Sequence, residues 1–163
     1  MVFAQSRTCS VQQPNRKPKT FKMEYQPNSI TLKIQVDKPV DYVWLLWTKA
    51  ADIERWNIPF DDWHCPKAEN DLKPGGNFYF RMEATNGRDG FDHSGTYDKI
   101  LENRRIEYTV SDGRKSIIEF ISDGGTTLVV ETFEPEKETP VELQRNFCFS
   151  VLKRFKEYAE GDM

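Results

Sequence analysis

From residue 63 to residue 133 the sequence consists of short segments in which apolar and polar residues alternate, separated by turns that contain glycine. Alternation of this kind predicts strands with one buried face, and short turns join neighbouring antiparallel strands. Phe78, Phe80 and Met82, for example, fall on one face of a single strand. We therefore predict about six consecutive strands in an antiparallel meander.

Different patterns flank this meander on its N-terminal side. Residues 29–36 alternate in polarity and predict one more strand. Residues 42–47 are strongly apolar and residues 49–55 follow closely, which favours two short helices. Pro59 disfavours helical backbone at the residue before it, so the second helix should end by then.

A single long helix is predicted on the C-terminal side of the meander. Phe147, Val151, Phe155 and Tyr158 recur at spacings of four, four and three, which places them in one apolar stripe. Thr139 and Pro140 resemble a helix cap and a first-turn proline, and Gly161 is suited to ending the helix.

This order of elements predicts an α+β fold with an internal space. A long antiparallel sheet has two faces, and one helix can cover only one of them. A twisted sheet that curves around a helix cannot close against it everywhere. We expect the two short helices to plug one end, with a hollow between the sheet and the long helix.

Charge is distributed unevenly along the chain. Residues 1–22 hold five Lys and Arg and no acid, so the remaining residues carry 18 bases against 26 acids. Contact with phosphates needs clustered Lys and Arg, so an acidic body argues against nucleic acid as a partner. No apolar run approaches the roughly 20 residues of a membrane helix.

Residues 1–27 are predicted to be a disordered extension and residues 28–160 the folded domain, because the first segment is rich in Ser, Gln, Pro and Lys without apolar periodicity. Met23 is a candidate for the true start, with an inert or over-extended segment before it. A targeting peptide and a functional basic arm are alternatives. Three widely spaced cysteines fit reduced thiols and a cytoplasmic location.

Several segments resemble a known family when they are taken in order. They are residues 39–44, 47–48 and 53–56, the Pro-Gly-Gly turn in residues 72–78, then residues 89–90, 94–97 and 103–109, and finally residues 151–158. Together they resemble the START-like (SRPBCC) superfamily, and within it the branch named for the activator of Hsp90 ATPase homologue 1. The resemblance covers roughly residues 28–160.

The resemblance implies a helix-grip fold, in which a curved antiparallel sheet holds the C-terminal helix. Family members bind apolar small molecules or lipids, and some act as cyclases, resistance proteins or chaperone partners. The branch often has a Gly-Trp pair entering its last helix, whereas this chain has Asn146 and Phe147. Ligand identity is therefore not carried over from the family.

The candidate ligand-binding residues are large side chains on the expected inner faces, together with one histidine. Aromatic rings can line a concave space as well as fill a core. The set comprises Trp44, Trp56, Trp63, Phe78, Phe80, Met82, His93, Tyr97, Tyr108, Phe120, Phe147 and Val151.

Two polar residues decide between binding and catalysis. His93, beside Gly95, is a polar handle if it faces inward and an ordinary satisfied or edge histidine if it does not. Glu131 lies in an apolar strand, where an exposed carboxylate is the simpler expectation and a buried one would be functional. His64 and Cys65 are adjacent, but neighbouring strand residues point to opposite faces. We predict no catalytic residue, metal site or cofactor.

We therefore expect a monomeric or homodimeric protein that binds a small apolar molecule or lipid without catalysis. A chaperone-associated interaction domain is an alternative that depends on the family resemblance. A cyclase-like or hydrolase-like enzyme is a second alternative, and it requires His93 or Glu131 inside the cavity.

Overall fold

The computed structural model describes residues 27–163, in which seven strands and three helices follow the predicted order. They are β1 (Ile30–Val36), α1 (Val40–Thr48), α2 (Ala50–Trp56), β2 (Trp63–Asn70), β3 (Asn77–Ala84), β4 (Gly90–Leu101), β5 (Arg105–Val110), β6 (Lys115–Asp123), β7 (Thr126–Phe133) and α3 (Val141–Glu160). The expected disordered extension over residues 1–27 lies outside the described residues, except for residue 27.

The seven strands form one antiparallel sheet in the order β1-β7-β6-β5-β4-β3-β2. Strands β2 to β7 are the predicted meander, each paired with the next. Strand β1 pairs with β7 from Ile30 opposite Phe133 to Val36 opposite Thr127. The two edge strands are thus consecutive in the sequence, and α1 and α2 form the connection between them. The predicted helix-grip class is confirmed.

Helix α3 lies along β1 and contacts both short helices. The Tyr158 hydroxyl donates a 2.6 Å hydrogen bond to Oδ1 of Asp52 on α2. Arg154 forms a 2.5 Å ion pair with Asp61 in the loop before β2. These contacts fix the C-terminal half of α3. No helix within residues 27–163 is long and apolar enough to cross a membrane.

The ends of α3 differ slightly from the prediction. Pro140 is the N-cap residue rather than the first helical residue, and no side chain caps this end, so Thr139 is not a cap. Gly161 ends the helix in the left-handed conformation with φ of 81°, as predicted. Glycine adopts this conformation without the steric penalty of a Cβ atom.

An aromatic core joins the C-terminal half of α3 to the short helices and the sheet. The fully buried Phe155 ring lies 4.8 Å from Trp47 and 4.9 Å from Trp56. Phe120 on β6 contacts Trp44 and Trp47 edge to face. Such pairs stabilise a core beyond their burial of area. These rings fill much of the space that the sequence predicts as a hollow.

The Pro-Gly-Gly turn before β3 is held against β4. The Gly75 amide donates to the Tyr97 carbonyl at 2.7 Å, and the Tyr97 amide donates to the Gly76 carbonyl at 2.9 Å. A Cβ atom at Gly76 would lie only 2.0 Å from the Asp71 carbonyl oxygen, so the turn requires glycine there. The turn therefore fixes the backbone of Tyr97, which faces the interior.

Candidate functional site

A cavity of about 80 Å³ remains between the sheet, the short helices and α3. A water molecule occupies about 30 Å³ of liquid, and an engineered apolar cavity of about 150 Å³ in another protein binds benzene. This space therefore takes two or three water molecules, or the head of a larger molecule. Trp47, Phe80, His93 and Val151 on its wall are only half-buried, so the wall reaches the surface.

Over half of the predicted ligand-binding residues line this cavity. Strands β3, β4 and β5 supply most of them because their inward-facing positions converge below α3. The lining members of the predicted set are Trp56, Phe78, Phe80, His93, Tyr97, Tyr108 and Val151.

Two predicted residues belong to the aromatic core instead. Trp44 and Phe120 are buried and contact each other with ring centroids 5.2 Å apart. Neither lies on the cavity wall. Their inward orientation agrees with the strand and helix periodicity, but neighbouring rings occupy the space in front of them.

Three more predicted residues, Met82, Trp63 and Phe147, lie off the cavity wall as well. Met82 is buried in β3. Phe147 contacts Trp63, Phe91 and Phe60 at ring distances of 6.1, 5.7 and 5.8 Å.

We call Phe60, Trp63, Phe91 and Phe147 the rim cluster. Phe147 lies one helical turn before Val151, and Phe91 is the inward-facing position before His93. The rim cluster therefore adjoins the cavity where α3 faces β2 and β4. Phe60 and Phe91 are 45% and 38% exposed, so this aromatic surface is only partly covered.

The cavity wall also contains residues outside the predicted set. They are Trp47, Thr48, Ile53, Asn57, Asn70, Ile106, Ile118 and Glu131. Ile118 lies two residues before Phe120 on β6, and Ile106 lies two residues before Tyr108 on β5. Alternation along these strands therefore predicts that both isoleucines face inward. Asn57 and Asn70 carry no such signal, because they lie at the ends of α2 and β2, where tertiary contacts orient them.

A chain of hydrogen bonds crosses one side of the cavity. The Tyr97 hydroxyl donates to Oδ1 of Asn70 at 2.6 Å, and Nδ2 of Asn70 donates to the Thr48 carbonyl at 2.6 Å. Burial strongly raises the pKa of Tyr97, although the hydrogen bond to Asn70 opposes this. The phenol is therefore neutral at physiological pH and serves as a fixed donor.

His93 is on the cavity wall, surrounded by aromatic rings. Its imidazole lies 5.3 Å from Phe78 and 6.1 Å from Tyr108, centroid to centroid. Burial and the nearby Arg114 guanidinium lower its pKa to about 4, against a smaller opposite effect of Asp112. Among residues 27–163 no side chain or backbone group forms a hydrogen bond with the ring, and its nitrogens are not fully enclosed, since every fully buried side-chain nitrogen or oxygen in this range has a partner. A neutral imidazole therefore offers an unused donor and an unused acceptor.

Glu131 also lies on the cavity wall, which differs from the simpler expectation of an exposed carboxylate. It is half-buried on the inner face of β7, between Leu32 on β1 and Ile118 on β6. Burial raises its pKa to about 7. No cation or hydrogen-bond donor within the described residues pairs with it, because its neighbours on both strands are apolar.

The adjacent residues His64 and Cys65, which the sequence also singled out, lie on opposite faces of β2. His64 pairs with Glu83 at 3.0 Å, whereas Cys65 is buried on the opposite side of β2. Within residues 27–163 no three His, Cys, Asp or Glu side chains gather closely enough to bind a metal ion.

The sheet curved around α3, the two short helices at one end and the cavity between them define a helix-grip domain of the START-like kind. The chain belongs to the family described as "Activator of Hsp90 ATPase homolog 1-like protein", whose model matches residues 37–160. The resemblance seen in the sequence is thus confirmed.

Solved structures agree with this assignment. An AHSA1-like protein from Aeromonas hydrophila is 32% identical, with 82% of this chain and 94% of that chain covered and a TM-score of 0.74. A protein from Cytophaga hutchinsonii is 42% identical, with 83% and 94% covered and a TM-score of 0.72.

A protein from Chromobacterium violaceum shares the fold at 21% identity, with 82% and 99% covered and a TM-score of 0.73. A comparison with curated protein sequences finds no match. The comparisons therefore show the family and the fold of this chain.

Proposed function

We propose that this protein binds a small, largely apolar molecule in the cavity between the sheet and α3. The observation that supports this most directly is the composition of the cavity wall. Aromatic rings from β3, β4 and β5 surround it, while His93 and Glu131 present polar groups that no neighbour among the described residues uses. An apolar wall with a few well-placed polar groups is typical of small-molecule sites.

The size of the cavity sets a condition on the proposal. Pockets for drug-sized ligands have volumes of about 300–1,000 Å³, and this cavity is about 80 Å³. A ligand larger than a few atoms must displace the wall near the rim cluster or remain partly outside. The rim cluster suits such movement because two of its rings are more than one-third exposed.

Fragment binding followed by NMR tests the proposal. A library of apolar fragments should shift amide signals of cavity-lining residues such as Phe80 and Val151, and should raise the melting temperature. The variant Val151→Phe fills the cavity from α3 and should abolish these shifts. Val141→Phe is the matched control, because Val141 is exposed at the start of the same helix. If no fragment perturbs the cavity in the unmodified protein, the proposal is wrong.

An enzyme is a second candidate, because this alternative requires His93 or Glu131 in the cavity and both lie on the cavity wall. A carboxyl group with a pKa near 7 suits proton transfer at neutral pH. Conversion of a bound fragment that stops in Glu131→Gln and His93→Gln would favour this candidate. Recovery of every fragment unchanged after long incubation would argue against it.

Interaction with a chaperone remains an expectation from the family description. No feature of residues 27–163 specifically favours it over ligand binding. A pulldown that looks for Hsp90 tests this alternative, and the ATPase rate of Hsp90 is the second measurement. If Hsp90 is not captured and its ATPase rate does not change, this alternative is excluded.

A further inference from the structure

We propose that the cavity selects apolar molecules that carry a protonated amine, and that Glu131 is the group that binds the ammonium. This inference rests on the proposed function, since it names the class of ligand for the same cavity. It depends on the charges of the wall, the environment of one carboxyl group and the aromatic rings that line the cavity.

The ionisable groups of the wall favour a cation. Among the described residues, Glu131 is the only carboxylic acid on the wall, and no lysine or arginine lines it. His93 is neutral at physiological pH, because burial and Arg114 hold its pKa near 4. Arg114 itself is already paired with Asp112 at 2.8 Å. A negatively charged ligand would therefore meet a carboxylate without a compensating cation, whereas a cation would meet its counterion.

The environment of Glu131 provides a position for a cation. Leu32 and Ile118 flank it on the neighbouring strands, so neither of these side chains supplies a donor. Burial of a charge without a partner costs free energy, and a ligand that supplies the opposite charge recovers it. The carboxyl group lies on the cavity wall, where a ligand can reach it.

The aromatic wall suits the same class of ligand. Trp47, Trp56 and Phe80 present rings at the cavity, with Tyr108 also on the wall. A cation that approaches the face of such a ring gains a cation–π interaction, which is larger in a desolvated site. The rings also cover part of the apolar portion of an amine, and the rest of that portion displaces the wall near the rim cluster or remains outside the cavity.

The ionisation of Glu131 sets the pH at which an amine should bind. With a pKa near 7 the carboxyl group is half ionised at neutral pH. The titratable groups that face it are Tyr108 on β5 and Cys148 on α3, whose pKa values are both raised, chiefly by burial and further by Glu131. Both are neutral at pH 7, so Glu131 alone changes charge there. Amine affinity should rise from pH 6 to pH 8.

Four probes that share one ring test the selection: benzylamine, benzyl alcohol, toluene and benzoate. Their dissociation constants are measured by NMR titration at pH 8. We expect benzylamine to bind about tenfold more tightly than benzyl alcohol, because charge-assisted hydrogen bonds are stronger than neutral ones. Benzoate should bind most weakly. In Glu131→Gln the preference for benzylamine should disappear while toluene still binds.

Glu102→Gln is the control, because it removes an equal charge from an exposed turn between β4 and β5. A second measurement needs no variant: benzylamine should lower the pKa of Glu131, followed through its carboxyl carbon. Equal affinity for the alcohol and the amine, or tighter binding of benzoate, would overturn the amine proposal and leave apolar binding intact. If none of the four probes binds, the proposed function fails as well.

Discussion

The hydroxyl of Tyr97 donates a 2.6 Å hydrogen bond to Oδ1 of Asn70, whose amide group donates in turn to the Thr48 carbonyl. This link joins β4, β2 and the end of α1 across the cavity. Asn70 is the central member of this link, because it pairs with the Tyr97 hydroxyl on one side and with the Thr48 carbonyl on the other.

Substitution of Asn70 should therefore cost more stability than substitution of Tyr97. We expect Asn70→Ala to lower the free energy of unfolding by about 2–3 kcal/mol, because it leaves the Tyr97 hydroxyl and the Thr48 carbonyl, both in a part-buried environment, without these partners. Tyr97→Phe should cost about 1 kcal/mol. Chemical denaturation of the two single variants and the double variant gives the coupling energy. Strict additivity would contradict a cooperative link. Tyr79→Phe, on the exposed outer face, is the control and should have little effect.

His93 and Glu131 should give the protein opposite dependences of stability on pH. The pKa of His93 falls from 6.5 to about 4 on folding. Its contribution to the free energy of unfolding is therefore lost as the pH drops from about 6.5 to about 4. The pKa of Glu131 rises to about 7, so its contribution is present below about 4.5 and is lost as pH rises to 7. The two effects oppose each other between pH 4.5 and 6.5.

Single variants should separate these two slopes. In His93→Gln only the Glu131 effect remains, so the free energy of unfolding should fall as the pH rises from 4.5 to 7. In Glu131→Gln only the His93 effect remains, so the free energy of unfolding should rise as the pH rises from 4 to 6.5. Each slope is at most about 1.4 kcal/mol per pH unit. Urea denaturation across the pH range measures them. Parallel pH profiles in both variants would show that the two groups are not buried as described.

Gly95 should not tolerate a side chain. A Cβ atom there would lie 2.3 Å from the Thr109 carbonyl oxygen and 2.8 Å from the Phe78 ring. Gly95→Ala must therefore push β4 away from β5 and disturb the cavity wall, at a cost of about 1–3 kcal/mol. Gly125→Ala is the control, because nothing lies within 4 Å of the position that its Cβ atom would take, and it should be nearly neutral. Thermal denaturation compares the two, and equal melting temperatures would refute the steric argument.

Phe147 should control access to the cavity. Phe147→Ala removes the ring that contacts Phe60, Trp63 and Phe91. We expect larger apolar probes to bind more tightly and faster, with a loss of about 1–2 kcal/mol of stability because the ring is only half-buried. Phe149→Ala is the matched control on the same helix, since Phe149 is 40% exposed and lies outside the rim cluster. Stopped-flow fluorescence gives the association rates. Unchanged rates in Phe147→Ala would exclude the rim cluster as the entrance.

The elements and their order can be predicted from the sequence. Alternation marks Phe78 and Phe80 as sharing a strand face, and the spacing of Val151 and Phe155 marks the inner side of α3. These signals are local, because they follow from the geometry of one strand or one helix. Gly95 is unusual within its strand pattern, but the choice between a bulge, a bend and a close approach needs the position of Thr109 on β5.

Tertiary structure decides which residues surround empty space. Trp44 and Trp56 both point inward, yet Phe120 covers the first and the cavity adjoins the second. Likewise, alternation places Glu131 on a face with Val129 and Phe133, but only the assembled sheet makes that face the inner one. The sequence by itself determined which side chains share a face. The packing of distant elements decided which faces meet and how much room remains, because van der Waals contact depends on residues that are far apart in the chain.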